Sequence, residues 1–164
     1  MLNRVPLSVP GAVAYAAEVG YLFCFPLVPV AFAVVWTAGT SADVARFWTA
    51  VLAAGYACYI TLPWLVSRPP RVLEAVSPDG GATSVRQANV FVLRQVSHHL
   101  NTFPSGHVAV SVAAAISAGM LWPLAGALLG IVAAGVALGA ISGRYHYIVD
   151  VLLGVGIGVA ANAM

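Results

Sequence analysis

Apolar runs long enough to cross a bilayer recur along this chain, divided by short polar breaks. A helix needs about 20 consecutive apolar residues to span the hydrocarbon core, and there its backbone polar groups must be satisfied internally. The runs fall at about residues 12–36, 47–66, 105–121, 125–141 and 147–161. Between them stand "TAGTSADVAR", "SRPPR", "WPLAG" and "SGRYH", with the Pro, Gly and charged residues that end helices. Composition agrees: 61% of residues are hydrophobic and 7% are charged, too few charges to coat a soluble domain. The expected fold is all-α, a polytopic transmembrane helix bundle of about five spans. It forms a single membrane-embedded domain over residues 1–164.

Arg4 followed by an apolar stretch invites comparison with a secretory leader. The stretch from Ala12 to Trp36 is too long for a signal core and contains Glu18, so a retained span is expected, with a cleaved signal as the alternative. Cys24 and Cys58 both fall inside apolar runs. Thiols in such surroundings act as small hydrophobes, so neither a disulfide nor a metal site is expected of them. The net charge of +2 singles out no partner, and no nucleic-acid partner is expected.

The one long polar stretch, Arg68 to Phe103, has internal order. "SPDGG" at Ser77–Gly81 is a turn. From Val85 to Leu100, Ala88, Val92, Val96 and Leu100 recur every fourth residue, with Arg86 and Arg94 off that stripe. This pattern fits an amphipathic helix in the membrane interface, or equally a surface helix packed on the bundle. In the later spans Gly126 and Gly130, Gly135 and Gly139, Gly139 and Gly143, and Gly154 and Gly158 each stand four apart. That spacing lets helix backbones approach closely in lipid.

Counting spans brings three separated polar clusters to one membrane face: Ser67–Arg71, Pro104–His107 and Arg144–Asp150. Their chemistry is coherent. Arg68 offers a planar, permanently charged fork suited to phosphate. Ser105, Gly106 and His107 stand at a helix N-terminus, where backbone N–H groups and the helix dipole favour an anion. His146 and Asp150 are four apart and share a helix face. A carboxylate on one imidazole nitrogen fixes the tautomer and leaves the other nitrogen free to attack. His107 then stands ready as a general acid. Each piece alone has a plainer use: an interfacial anchor, a helix cap, a structural hydrogen bond. Together, in a solvent where polar groups are costly, they describe a phosphoryl-transfer site.

Other polar residues stand apart from these clusters. Glu18 lies inside the first span, as a functional candidate or as a partner for an arginine. His98 and His99 fit a wet helix face better than a metal site. Trp64, Phe103, Tyr145 and Tyr147 fit an interfacial aromatic belt.

"RP" at Arg68–Pro69, "PSGH" at Pro104–His107 and "HYIVD" at His146–Asp150 resemble the signature motifs of the type-2 phosphatidic acid phosphatase superfamily. The resemblance extends over about Thr61 to Gly158. It implies that His146 is the nucleophile forming a phosphohistidine, that Asp150 orients it, and that His107 protonates the departing alcohol. It also implies that Arg68, Ser105 and Gly106 hold the phosphate oxygens, and that no metal or other cofactor takes part. Two positions depart from the family pattern. Thr61 stands where a Lys is usual, seven residues before Arg68, and Ala140 stands where an Arg is usual, six before His146. Arg144 and Arg71 are the nearby residues that can restore those charges. "GRYHYIVD" is similar to a branch that includes head-group transferases as well as phosphatases.

The expected function is an integral membrane lipid phosphatase acting on a lipid or polyprenyl phosphate. The alternatives are a lipid phosphotransferase using the same histidine and a non-catalytic membrane protein. The expected location is the plasma (inner) membrane. Arg4, Arg71, Arg86 and Arg94 on the site face, against Arg46 on the other, argue for a cytoplasmic site by the positive-inside rule. The family's usual arrangement puts the site outside the cytoplasm, and that orientation is the one expected here.

Overall fold

The computed structural model describes residues 11–65, 67–70, 87, 89, 91 and 103–164. The helices whose full extent lies among the described residues are α1 (Gly11–Leu22), α2 (Cys24–Ala38), α3 (Ser41–Tyr59), α4 (Gly106–Leu121), α5 (Pro123–Ser142) and α6 (Ile148–Ala161). No strand occurs among the described residues, so the all-α expectation holds.

The first apolar run is not one helix. It breaks between Leu22 and Cys24, and the two parts are bent by 52°. Pro26 explains the break. It has no N–H to donate to Leu22, and its ring crowds that carbonyl. Phe23 N–H bonds the Gly20 carbonyl instead, at 3.1 Å.

α3 begins earlier than the apolar run because Thr40 and Asp43 build a capping box. The Thr40 N–H and hydroxyl both donate to Asp43 Oδ2, at 2.8 and 2.7 Å. These bonds hold the Asp43 carboxyl below its ordinary range. α4, α5 and α6 match their apolar runs to within two residues at each end.

Among the described residues only α5 is by itself long and apolar enough to cross a membrane, and α1 with α2 qualify as one bent pair. α4 and α6 are apolar but 16 and 14 residues long. At 1.5 Å per residue, 14 residues reach about 21 Å, short of a hydrocarbon core of about 30 Å. By length and apolarity, one described helix, or two spans with the bent pair, meets the requirement for a crossing, fewer than the five expected. The later runs are short because polar turns end them: Pro104–Ser105 opens α4, and Arg144–Tyr147 separates α5 from α6.

α4 is the central helix, packed against α2, α3, α5 and α6, while α1 lies on α5. Small side chains allow this. Ala109, Ala113, Ala114 and Ala118 are fully buried on α4. A Cβ added at Gly158 would stand 2.5 Å from the Ala109 carbonyl, and one at Gly154 would stand 2.7 Å from the Ser105 carbonyl. α6 thus seats its backbone directly on the first turns of α4. Gly139 does the same for α1, where a Cβ would meet the Ala17 carbonyl at 2.2 Å. The expected glycine packing is not uniform: Gly130 has nothing within 4 Å.

Cys24 and Cys58 are buried and form no disulfide. Of the expected amphipathic helix over 85–100, Gln87, Asn89 and Phe91 are described. All three are helical, with Asn89 buried and the other two exposed. Its apolar stripe lies outside the described residues, as do Arg4, Arg71, Arg86, Arg94, His98, His99 and the Ser77–Gly81 turn.

Candidate active site

The start of α4 supplies the first part of the site. Ser105 is the N-cap residue, with extended backbone, but its side chain does not cap the helix. Its hydroxyl is buried and has no hydrogen-bond partner among the described residues. A buried polar atom in that condition calls for an explanation, and a ligand supplies one. Gly106, His107 and Val108 form the first turn, whose N–H groups lie outside the helix's own ladder. The His107 ring packs against Tyr21 (centroids 5.9 Å apart) and edge-on to Phe25 (6.0 Å).

The α5–α6 turn supplies the second part. Tyr145 N–H bonds the Ala140 carbonyl and Arg144 N–H bonds the Ile141 carbonyl, at 2.9 and 3.0 Å. This is a Schellman closure, in which the left-handed position normally falls to glycine. Here that residue is Arg144, with φ 57°. The neighbouring Gly143 serves another need: a Cβ there would stand 2.3 Å from Tyr145 Cε2, so its absence lets the Tyr145 ring fold over the helix end.

His146 N–H also reaches the Ala140 carbonyl, at 2.9 Å. Its Nδ1 lies 3.3 Å from Asp150 Oδ2, and both side chains are buried. Asp150 Oδ2 also accepts the Tyr147 N–H at 3.1 Å, which caps α6. One carboxylate thus starts the helix and orients the imidazole, near the positive end of the α6 dipole. With Nδ1–H directed at Asp150, Nε2 carries the lone pair.

One backbone bond and one side-chain bond draw separated segments together. Ser105 N–H donates to the Asp150 carbonyl at 3.0 Å, joining "PSGH" to "HYIVD". The Thr61 hydroxyl, on the turn after α3, is within reach of the Cys58 carbonyl (2.8 Å) and of the Phe103 carbonyl. Where the resemblance leads one to expect a Lys, Thr61 therefore fastens the end of α3 to the approach to α4. Arg68 lies outside the helices, exposed, beside the buried Pro69. Arg144 is also exposed. Arg71 lies outside the described residues. Among the described residues no group of three or more His, Cys, Asp and Glu is placed to hold a metal ion.

The model of the PAP2 superfamily matches residues 43–163, most of the chain. The chain belongs to that family. No curated protein and no solved structure matches it. PAP2 membership points to phosphatase-type chemistry on phosphate esters.

The PAP2 match begins inside α3, so α1 and α2 lie outside it. Yet α1 reaches the site. Tyr145, expected in an interfacial aromatic belt, is 2% exposed. Its ring stacks on Tyr21 at 4.3 Å, and its hydroxyl donates to Glu18 Oε2 at 2.7 Å. Trp64, by contrast, is 75% exposed. The described partners of Glu18 are Tyr145 and Asn89. A carboxylate inside an apolar run was the sequence signal for this group. Nothing in the sequence pointed to Asn89 or Tyr21.

Proposed function

We propose that the protein is an integral membrane lipid phosphatase that hydrolyses a lipid or polyprenyl phosphate through a phosphohistidine on His146. The observation that carries this reading is the buried His146–Asp150 pair, tied through the Ser105 N–H to the opening turn of α4.

The phosphate sits against the first N–H groups of α4 and the Ser105 hydroxyl, with Arg68 and Arg144 meeting its outer oxygens. His146 Nε2 attacks phosphorus as the ester P–O bond breaks. His107 gives its proton to the departing alcohol oxygen. Water then attacks the phosphohistidine, His107 takes the water proton, the P–N bond breaks and phosphate leaves. Asp150 holds the imidazole through Nδ1 and stabilises the charge that develops on it.

Large apolar side chains facing outward on α5 and α6, among them Ile131, Leu138 and Leu152, support a lipid environment. A site at the interface lets a lipid tail stay in the membrane while water reaches phosphorus. The site faces outside the cytoplasm in this reading, and a cysteine at Gly81 probed with an impermeant thiol reagent tests that side.

The functional test is phosphate release by purified protein in detergent, with EDTA present, from phosphatidic acid and farnesyl diphosphate. Release by wild type that disappears in His146→Ala is the expected result. The "GRYHYIVD" likeness favours transfer as a second reading. Added alcohol that suppresses phosphate release and yields a new lipid would select it. A folded protein that releases no phosphate and transfers none would refute both readings.

A further inference from the structure

A carboxylate inside an apolar helix is expensive unless it is well partnered. Glu18 is 4% exposed, on α1. Its Oε2 accepts the Asn89 amide at 2.6 Å and the Tyr145 hydroxyl at 2.7 Å. The same Asn89 amide also donates to the Glu18 backbone carbonyl, at 2.9 Å. The carboxylate is thus held by Asn89 and itself holds Tyr145, from a point 127 residues away in the chain.

Tyr145 is the residue before His146, and the N–H groups of both end on the Ala140 carbonyl. The two therefore belong to one rigid turn. The Tyr145 ring is fixed on its face by Tyr21 and at its tip by Glu18, and Gly143 leaves the space it occupies. Tyr21 also touches the His107 ring. Packing alone needs none of this polarity, since phenylalanine fills the same volume and an apolar residue at position 18 avoids burying a charge.

We infer that Glu18 and Tyr145 are a positioning pair for His146. The Glu18 carboxylate anchors the Tyr145 hydroxyl, and through it the turn that aims the His146 imidazole at phosphorus. The inference rests on the phosphohistidine reading of His146. Neither residue touches the phosphate; both act through His146. Glu18 lies before the family-matched residues, so α1 contributes a constraint that the three motifs do not contain.

The test compares full-length wild type, Tyr145→Phe, Glu18→Ala, Glu18→Gln and the Glu18→Ala/Tyr145→Phe double variant in detergent, with phosphatidic acid and farnesyl diphosphate as probes. Rapid-quench experiments separate the fraction of enzyme that forms phosphohistidine from the rate at which it forms. Tyr145→Phe and Glu18→Ala are expected to slow that rate about tenfold, the scale of one charge-assisted hydrogen bond. KM and the reactive fraction stay near wild type. Glu18→Gln keeps an acceptor for the tyrosine and should recover most of the rate. The double variant should be no slower than either single one.

A merely structural role would lower the reactive fraction and leave the rate constant of the folded enzyme unchanged, which overturns the inference. So does a wild-type rate in Tyr145→Phe, the mildest of the changes. If wild type releases no phosphate from either probe, or His146→Ala releases as much, the phosphohistidine reading itself fails and this inference falls with it. An active wild type, a silent His146→Ala and a fully active Tyr145→Phe overturn the positioning pair alone.

Discussion

Replacing Arg144 by glycine should make the protein more stable and less active. Arg144 occupies the left-handed position of the α5 closure, at φ 57°. That conformation costs an L-residue about 1–2 kcal/mol, and glycine adopts it freely. Glycine also gives the unfolded chain more freedom, which offsets about 0.5–1 kcal/mol of the gain. The side chain is exposed, so the contacts it forfeits contribute little to stability. The net gain is about 0.5–1 kcal/mol, a rise in Tm of about 1–4 °C for a chain of this size. Losing a charged donor to phosphate costs about 1.5–3 kcal/mol of transition-state binding, or roughly ten- to a hundredfold in kcat/KM. Thermal unfolding in detergent and phosphate release measured on the same preparations give both quantities. A lower Tm for Arg144→Gly would refute the strain argument. An unchanged kcat/KM would refute the phosphate role. Arg144→Lys separates the two further, because it keeps a charge and the strain together.

The glycines on α6 should divide by what surrounds them. Gly158→Leu drives a side chain into the Ala109 carbonyl and Val112. It should destabilise by about 1–3 kcal/mol or more, read as a fall in Tm. Gly156 has nothing within 4 Å, and Gly156→Ala should raise Tm slightly through helix propensity. Thr40→Ala removes the capping box of α3 and should lower stability by about 1 kcal/mol in a denaturation series. The Asp43 carboxyl is held below its ordinary range in the folded state, so its contribution is complete at neutral pH and fades as pH falls through the folded value. The Thr40→Ala deficit should therefore shrink in acid, and a deficit constant down to low pH would contradict the assignment.

Local chemistry was legible in the sequence. Pro123 opens α5, and the polar turn at Gly143–Tyr147 ends one helix and starts the next, so these boundaries follow from the residues themselves. His146 and Asp150 pair as their spacing suggested, but not across a helix face: His146 precedes the Tyr147 N-cap of α6, and Asp150 in the first turn meets its ring there. Hydropathy alone passed over the bend at Phe23. An averaged run stays apolar across it, although Pro26 carries the steric reason in plain view.

Tertiary structure decided what lies between distant residues. The "PSGH" pattern does not reveal that the Ser105 hydroxyl leaves its helix uncapped, or that the Ser105 N–H reaches the Asp150 carbonyl. Thr61 reads as the loss of a lysine, and only the packed chain shows it fastened to Phe103. Gly154 and Gly156 are the same residue in the same helix, yet one sits against the backbone of α4 and the other faces open space. Glu18 was conspicuous, but its partner was not. A single helix fixes neighbours three or four residues away, whereas the meeting of Glu18 and Tyr145 depends on how α1 settles on α5 through Gly135 and Gly139. That close approach arises from missing side chains on both helices, which is a property of the packed pair rather than of either sequence segment.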